Sequence, residues 1–261
     1  VNNTVFTRLA EALRSDRPVA LVSVVDGAGV GARFLVEPDG SAHGHLGNDD
    51  LHRVVLRDAL GELAAGRSGI RHYGEHGETG QEAVTVFVES FAPAPQMVIF
   101  GAVDFTAALV RVAKVIGYRV TVCDAREVFA TTQRFPQADR VVVDWPQRVL
   151  ESVGPELGPR DAVCVLTHDV RFDIPALMGA LATRAGYIGA MGSRRTHEAR
   201  EERLREEGAS AEQLRSIHAP IGLDLGARTP EETAISICAE IIATRRGRSA
   251  GSLSTSRGPI H

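Results

Sequence analysis

The sequence predicts an α/β chain in two parts: a smaller mixed α+β domain over residues 1–92, then a doubly wound parallel sheet over residues 93–261. Three observations carry this. Past residue 97, fully apolar runs such as MVIF and AVCVLT alternate with amphipathic stretches, as in strands that a parallel sheet buries on both faces. Before residue 92, strand-like segments lie beside Asp-Gly turn signals, with one helical stretch among them. Between the halves, FAPAPQ at 91–96 brings two prolines into six residues, which fits a linker.

The elements follow in order. The opening VNNTVFTRLAEALRSD is short and amphipathic, without the apolar core or cleavage pattern of a signal peptide. PVALVSVVDG and ARFLVEPDGS are neighbouring strands, with turns signalled at Asp26-Gly27 and Asp39-Gly40. NDDLHRVVLRDALGELAAG is a helix that Asn48 or Asp49 caps and Gly66 ends. EAVTVFVES is the next strand. MVIF then opens the parallel sheet, with Gly101 at its turn. In DFTAALVRVAKVIG, Phe105, Leu109, Val112 and Ile116 share one helical face and Gly117 is the stop. YRVTVCD, RVVVD and AVCVLT are strands two to four; DIPALMGALATRAG is a helix and YIGA a fifth strand. EAREERLREEG is a solvated helix, with Glu201–Arg205 and Arg203–Glu207 spaced at i,i+4. The last helix has a marked start: Thr229 as N-cap, Pro230 in the first turn, Glu232 closing a capping box. The tail RRGRSAGSLSTSRGPIH is polar and expected to lie loosely on the surface.

Composition narrows the function classes. A length of 261 residues with 44% hydrophobic and 24% charged residues describes an ordinary globular protein of one large or two medium domains. A net charge of −4 gives no global pull toward nucleic acid or acidic membranes. No apolar run approaches the ~18–20 residues of a membrane span. Cys123, Cys164 and Cys238 sit in apolar contexts with no C-x-x-C pair, so they are expected to be buried, reduced thiols of a cytoplasmic protein.

Ligands of such sheets bind beyond the carboxyl ends of the strands, so the loops there supply the candidate residues. Gly101 begins a broken nucleotide fingerprint, with Val103 and Thr106 where G-x-G-x-x-G has its second and third glycines. Asp124 lies 23 residues later, where a ribose-binding acid is found, and Arg126 beside it is placed for a 2′-phosphate; a turn aspartate is the other reading. Thr167, His168, Asp169 and Asp173 cluster after strand four, a set able to bind a metal or move a proton. Their spacing matches no common metal site, and no metal is expected. In the plainer reading Thr167 and Asp169 organise the turn, and Asp173 caps a helix that Pro175 helps start. Gly192, Ser193, Arg194 and Arg195 precede a helix expected to begin near Thr196, with one arginine still in the loop. Backbone donors, helix dipole and guanidinium groups there suit a phosphate; an exposed charge pattern is the alternative. In HAPIGLDLGARTPEE, Gly222 and Gly226 bracket Asp224, with His218 and Arg228 as further polar candidates.

Four stretches together, YRVTVCDAR, LTHDVRFDIPAL, YIGAMGSRRTHEAR and PIGLDLGARTPEETAISICAEI, closely resemble the XdhC/CoxI family, almost continuously over residues 97–246. The family comprises accessory factors for molybdenum hydroxylases such as xanthine dehydrogenase and carbon monoxide dehydrogenase. The resemblance implies a Rossmann-like C-terminal domain and a role in holding, maturing or delivering the molybdenum cofactor, a phosphorylated pterin often present as a dinucleotide. It further implies an apo-hydroxylase partner, a sulfurase and a homodimer. The N-terminal half departs from the pattern. HLGNDDL and ETGQEAVTVFVE stand where the family has Gly-Gly-Cys-x-Glu and Cys-Gly-Gly, so the two cysteines are replaced near Asn48-Asp49 and Gly80-Gln81.

Three functions compete at this point: a cofactor-handling accessory protein, an NAD(P)-dependent oxidoreductase, and a nucleotide-binding scaffold with a vestigial pocket. The second has the architecture, but fold is not function and the glycine fingerprint is broken.

Overall fold

A computed structural model describes residues 2–78 and 80–255. The chain divides into two compact units, Val1–Pro93 and Ala94–His261.

The first unit runs α1 (Asn2–Arg14), β1 (Val19–Gly27), β2 (Arg33–Val36), β3 (Ala42–Gly44), α2 (Asp49–Ala65), β4 (Gly69–Tyr73) and β5 (Val84–Phe91). Its strands form one antiparallel sheet in the order β3-β2-β1-β5-β4. The wholly apolar start of β1 is explained by burial on both sides. Val19 and Leu21 join Val5 and Ala12 of α1, while Ala20, Val22 and Val24 join Leu51, Val55, Ala59 and Leu63 of α2. Asn48 caps α2 by accepting from the Asp50 and Leu51 N–H groups, and Gly66 closes it in the left-handed region. One expected turn is in fact strand: Asp26 and Gly27 pair with Thr85 and Val84 beyond a bulge after Val24, and the chain reverses later.

The second unit runs β6 (Gln96–Phe100), α3 (Asp104–Val115), β7 (Arg119–Cys123), β8 (Arg140–Val142), α4 (Pro146–Val153), β9 (Ala162–Val165), α5 (Val170–Leu181), β10 (Tyr187–Ala190), α6 (Arg194–Glu206), α7 (Ala211–Arg215), β11 (Ile217–His218) and α8 (Pro230–Arg246). All six strands are parallel, in the order β11-β10-β9-β6-β7-β8. MVIF is apolar throughout because β6 lies inside the sheet: Met97 and Ile99 pack with α3 and α8, Val98 and Phe100 with α4, α5 and α6. Each such buried side chain contributes roughly 1.5–3 kcal/mol. Strand order reverses at β6, which has β7 on one side and β9 on the other. The crevice between the ends of β6 and β9 is therefore the topological switch point.

Two helix starts differ from expectation. Asp169, not Asp173, caps α5, accepting from the Arg171 N–H at 3.0 Å; Asp173 and Pro175 consequently lie inside the helix. α6 begins at Arg194, since the Ser193 hydroxyl accepts from the Thr196 N–H at 3.1 Å, so both arginines are helical and neither remains in the loop. On α6, Glu201 meets Arg205 at 2.7 Å, but Glu207 lies past the helix end and makes no ion pair with Arg203 among the described residues. From Gly247 to Thr255 the tail is exposed; its last six residues lie outside the described residues.

Candidate functional site

The site is built where the chain leaves β6, β7 and β9. After Phe100 the backbone turns at Gly101 with φ +110°, and a Cβ there would stand 2.8 Å from the Thr167 nitrogen. Only glycine lets the β6 and β9 ends come this close. Val103 is the N-cap position of α3, and the buried Thr106 donates its hydroxyl back to the Gly101 carbonyl. The third-glycine position of the broken fingerprint is thus a brace that fixes the turn from within.

Asp124 follows β7 and is buried. Its Oδ2 accepts from the Ala102 N–H at 2.8 Å and from Arg126 Nη2 at 2.7 Å. Its Oδ1 accepts from the Arg126 N–H at 3.0 Å and Nε at 2.9 Å. Burial pushes this carboxyl up, but the Arg126 guanidinium and the two backbone donors outweigh it and hold it below the usual carboxylate value. The guanidinium carbon lies 4.6 Å from the Phe129 ring centre and 6.0 Å from that of Phe172. Phe172 in turn stacks on Trp145 at 4.8 Å.

Beyond β9, the buried Thr167 accepts from the Asp169 N–H at 3.1 Å. Asp169 pairs with Arg171 at 2.6 Å, and hydrogen bonds from Arg171 pull its carboxyl down to about 2. His168 is exposed. Val103, Arg126, Thr167, His168, Asp169 and Val170 line an open depression of about 530 Å³, inside the size range of ligand pockets. Gly101, Asp124, Thr167 and Phe172 line a small notch on the same edge.

Six of the predicted site residues, Gly101, Asp124, Arg126, Thr167, His168 and Asp169, are therefore gathered at one crevice. Gly192, Ser193, Arg194 and Arg195 stand outside its lining, one strand further along. Arg194 and Arg195 are exposed in the first turn of α6. Asp224 is exposed in the loop before α8 and lines neither the depression nor the notch. Among the described residues no cluster of three or more His, Cys, Asp or Glu side chains fits a metal ion.

Sequence reasoning missed the aromatic rim, Arg200 as the buried partner of Asp173, and the partly buried Glu240. Arg200 binds Asp173 at 2.7 Å, and its Nη2 also donates to the Met191 carbonyl at 3.0 Å, tying α5 and α6 to the end of β10. Glu240 accepts from the Tyr187 hydroxyl and from the Gly222 N–H at 2.8 Å and faces His218 at 3.5 Å. The i,i+4 pattern of α6 draws attention to its exposed charges; only the pairing across elements reveals Arg200. In the first unit, at Asn48-Asp49, the first of the two places where the resemblance implies a cysteine, Asn48 Nδ2 meets His76 Nδ1 at 3.1 Å and Asp49 meets His45 at 3.2 Å.

The XdhC Rossmann domain matches residues 97–241, and the XdhC and CoxI family matches residues 12–74. The chain belongs to this family. Among its relatives, uncharacterized protein YqeB of Escherichia coli (strain K12) is 27% identical over 260 residues, 95% of this chain and 47% of that protein. A probable xanthine dehydrogenase subunit of Bacillus subtilis (strain 168) is 31% identical over 165 residues, 63% of this chain and 47% of that one. The molybdenum cofactor insertion chaperone PaoD of Escherichia coli (strain K12) is 36% identical over 94 residues, 36% of this chain and 30% of PaoD. The chain thus spans less than half the length of these curated relatives. A crystal structure described as a xanthine dehydrogenase from Bacillus halodurans superposes with a TM-score of 0.53, covering 95% of this chain and 97% of that chain. At 21% identity, this likeness establishes the family's fold.

Proposed function

We propose that the chain acts as an accessory factor of molybdenum hydroxylases, binding the molybdenum cofactor and passing it to an apo-enzyme of the xanthine dehydrogenase or carbon monoxide dehydrogenase type. The observation that carries this is the family match over the Rossmann domain, whose switch point carries a ligand-sized depression. The names of two relatives, a cofactor insertion chaperone and a xanthine dehydrogenase subunit, point the same way. The role needs a pocket and a docking surface, with no bond made or broken by the protein. The crevice built by Gly101, Asp124, Arg126, Thr167, His168 and Asp169 holds the cargo. Gly192, Ser193, Arg194 and Arg195 at the α6 start meet its phosphate, and Asp224 approaches it from the loop before α8.

Sulfur for the cofactor comes from a separate sulfurase. Cys123, Cys164 and Cys238 are all buried, and burial pushes the Cys123 and Cys238 thiols up to about 12, so they are poor thiolate carriers. The factor works as a homodimer in the cytoplasm; no helix among the described residues is long and apolar enough to cross a membrane. The test is purification from a host that makes the cofactor, followed by acid oxidation, pterin fluorescence and molybdenum analysis. Pterin and molybdenum in the protein fraction, with activation of an added apo-hydroxylase, support the proposal. A bound nicotinamide and no pterin would replace it with the oxidoreductase alternative.

A further inference from the structure

Asp124 and Arg126 stand where a nicotinamide dinucleotide is read, yet they are engaged with each other. A strand-end carboxylate holds the ribose by accepting from its hydroxyls, and a neighbouring arginine meets the 2′-phosphate of the phosphorylated form. A carboxylate offers about four lone-pair sites. Asp124 fills them with Arg126 N–H, Nε and Nη2 and the Ala102 N–H. Arg126 is held edge-on to that carboxylate and lies over the Phe129 ring, yet its side chain stays 44% exposed and lines the depression. The charges of the floor cancel in pairs, Asp124 with Arg126 and Asp169 with Arg171. What remains is a fixed guanidinium with spare N–H groups, beside a Trp145–Phe172 stack whose indole is 40% exposed. Guanidinium planes and indole rings both take planar rings by stacking.

We propose that Arg126 determines the specificity of the depression: by filling Asp124 it closes the position that would read a ribose diol or a 2′-phosphate, and it presents its guanidinium to a planar pterin-type heterocycle instead. The inference rests on the cofactor-handling function and narrows its ligand to the ring, with nicotinamide dinucleotides excluded. Because the floor is neutral by pairs, the ring is held by stacking and hydrogen bonds rather than by net charge.

The test uses the full chain and three probes: neopterin, NAD and NADP. Trp145 is the chain's single tryptophan, so its fluorescence reports on the rim, with calorimetry alongside. The wild type is expected to bind neopterin with quenching, with NAD and NADP at least roughly tenfold weaker, and with little change in pterin affinity as salt rises. Arg126→Ala should weaken neopterin by about tenfold and strengthen NAD, because Asp124 is released. Arg126→Lys keeps the charge but not the plane, so it should lose neopterin nearly as far; it also serves if the alanine variant folds poorly. NADP binding to the wild type as tightly as neopterin overturns the inference. So does the absence of neopterin binding, or unchanged affinities in both variants. Cofactor handling fails separately, through a protein fraction without pterin or molybdenum and an unactivated hydroxylase.

Discussion

Replacing Arg200 by methionine leaves Asp173 buried with no cation beside it. The two side chains are 4% and 3% exposed and 2.7 Å apart. Methionine fills much of the volume of the arginine stem, so the main loss is electrostatic. An uncompensated charge of this kind costs about 3–5 kcal/mol. For a unit of this size each kcal/mol moves Tm by about 2–4 °C, so the second unit should melt roughly 10 °C lower. The deficit must also depend on pH. Burial raises the Asp173 carboxyl above its ordinary 3.8 even though Arg200 draws it down, and without Arg200 it rises further. Between the unfolded value and the raised folded one, the native state holds a proton that the unfolded chain has released. Stability therefore falls as pH rises through that window. The Arg200→Met deficit is largest above it and shrinks on acidification. Urea unfolding of wild type and variant at pH 5 and pH 8, followed by circular dichroism, measures both. Asp173→Leu combined with Arg200→Met should recover most of the loss, because neither charge is then buried alone. A loss below about 1 kcal/mol at pH 8, or a deficit independent of pH, would refute the reasoning.

Gly101→Ala should cost about 2 kcal/mol or more by urea titration, since the new Cβ meets the Thr167 nitrogen at 2.8 Å and the backbone sits at φ +110°. Glu240→Gln should cost about 1–3 kcal/mol at pH 7. Burial pushes Glu240 up, but His218, Tyr187 and the Gly222 N–H hold it below its ordinary 4.5. Its contribution is therefore complete above 4.5 and lost as pH falls through the lower folded value, a dependence the glutamine variant should lack. Arg194→Gln with Arg195→Gln should lower pyrophosphate affinity at least about tenfold at low salt, with a smaller loss at high salt; equal calorimetric affinities would mark the α6 start as solvated charge.

The parallel sheet was legible because strands buried on both faces leave unbroken apolar runs, as in MVIF and AVCVLT, and because Thr229, Pro230 and Glu232 declare a helix start. β4 was not legible: GIRHY has three exposed residues in five, so nothing in its pattern demands a sheet, and its place follows from pairing with β5. α4 has only eight residues, too few for a periodic signal beside its leading proline. At the site, strand-end position drew attention to Gly101, Asp124 and Thr167. That Asp124 is filled by Arg126 depends on side-chain geometry that spacing does not encode. Asp173 was misplaced by one helical turn, because Asp169 and Asp173 are both chemically fit to cap and only the start of α5 decides between them.

The position of β6 has a consequence for biosynthesis. It is made first of its sheet, yet it ends with neighbours on both sides, and the partner of Met97 on one side is Ala162. At about 5–20 residues per second, a ribosome needs roughly 3–13 s to span that interval. During that time one edge of the MVIF strand has no strand to pair with, and an unprotected apolar edge invites wrong partners. Chains stalled on the ribosome before residue 162 should be captured by holdase chaperones and cut by added protease near this strand. Chains stalled after β9 has cleared the exit tunnel should escape both. Escape of both would show that α3 and β7 already shelter the strand.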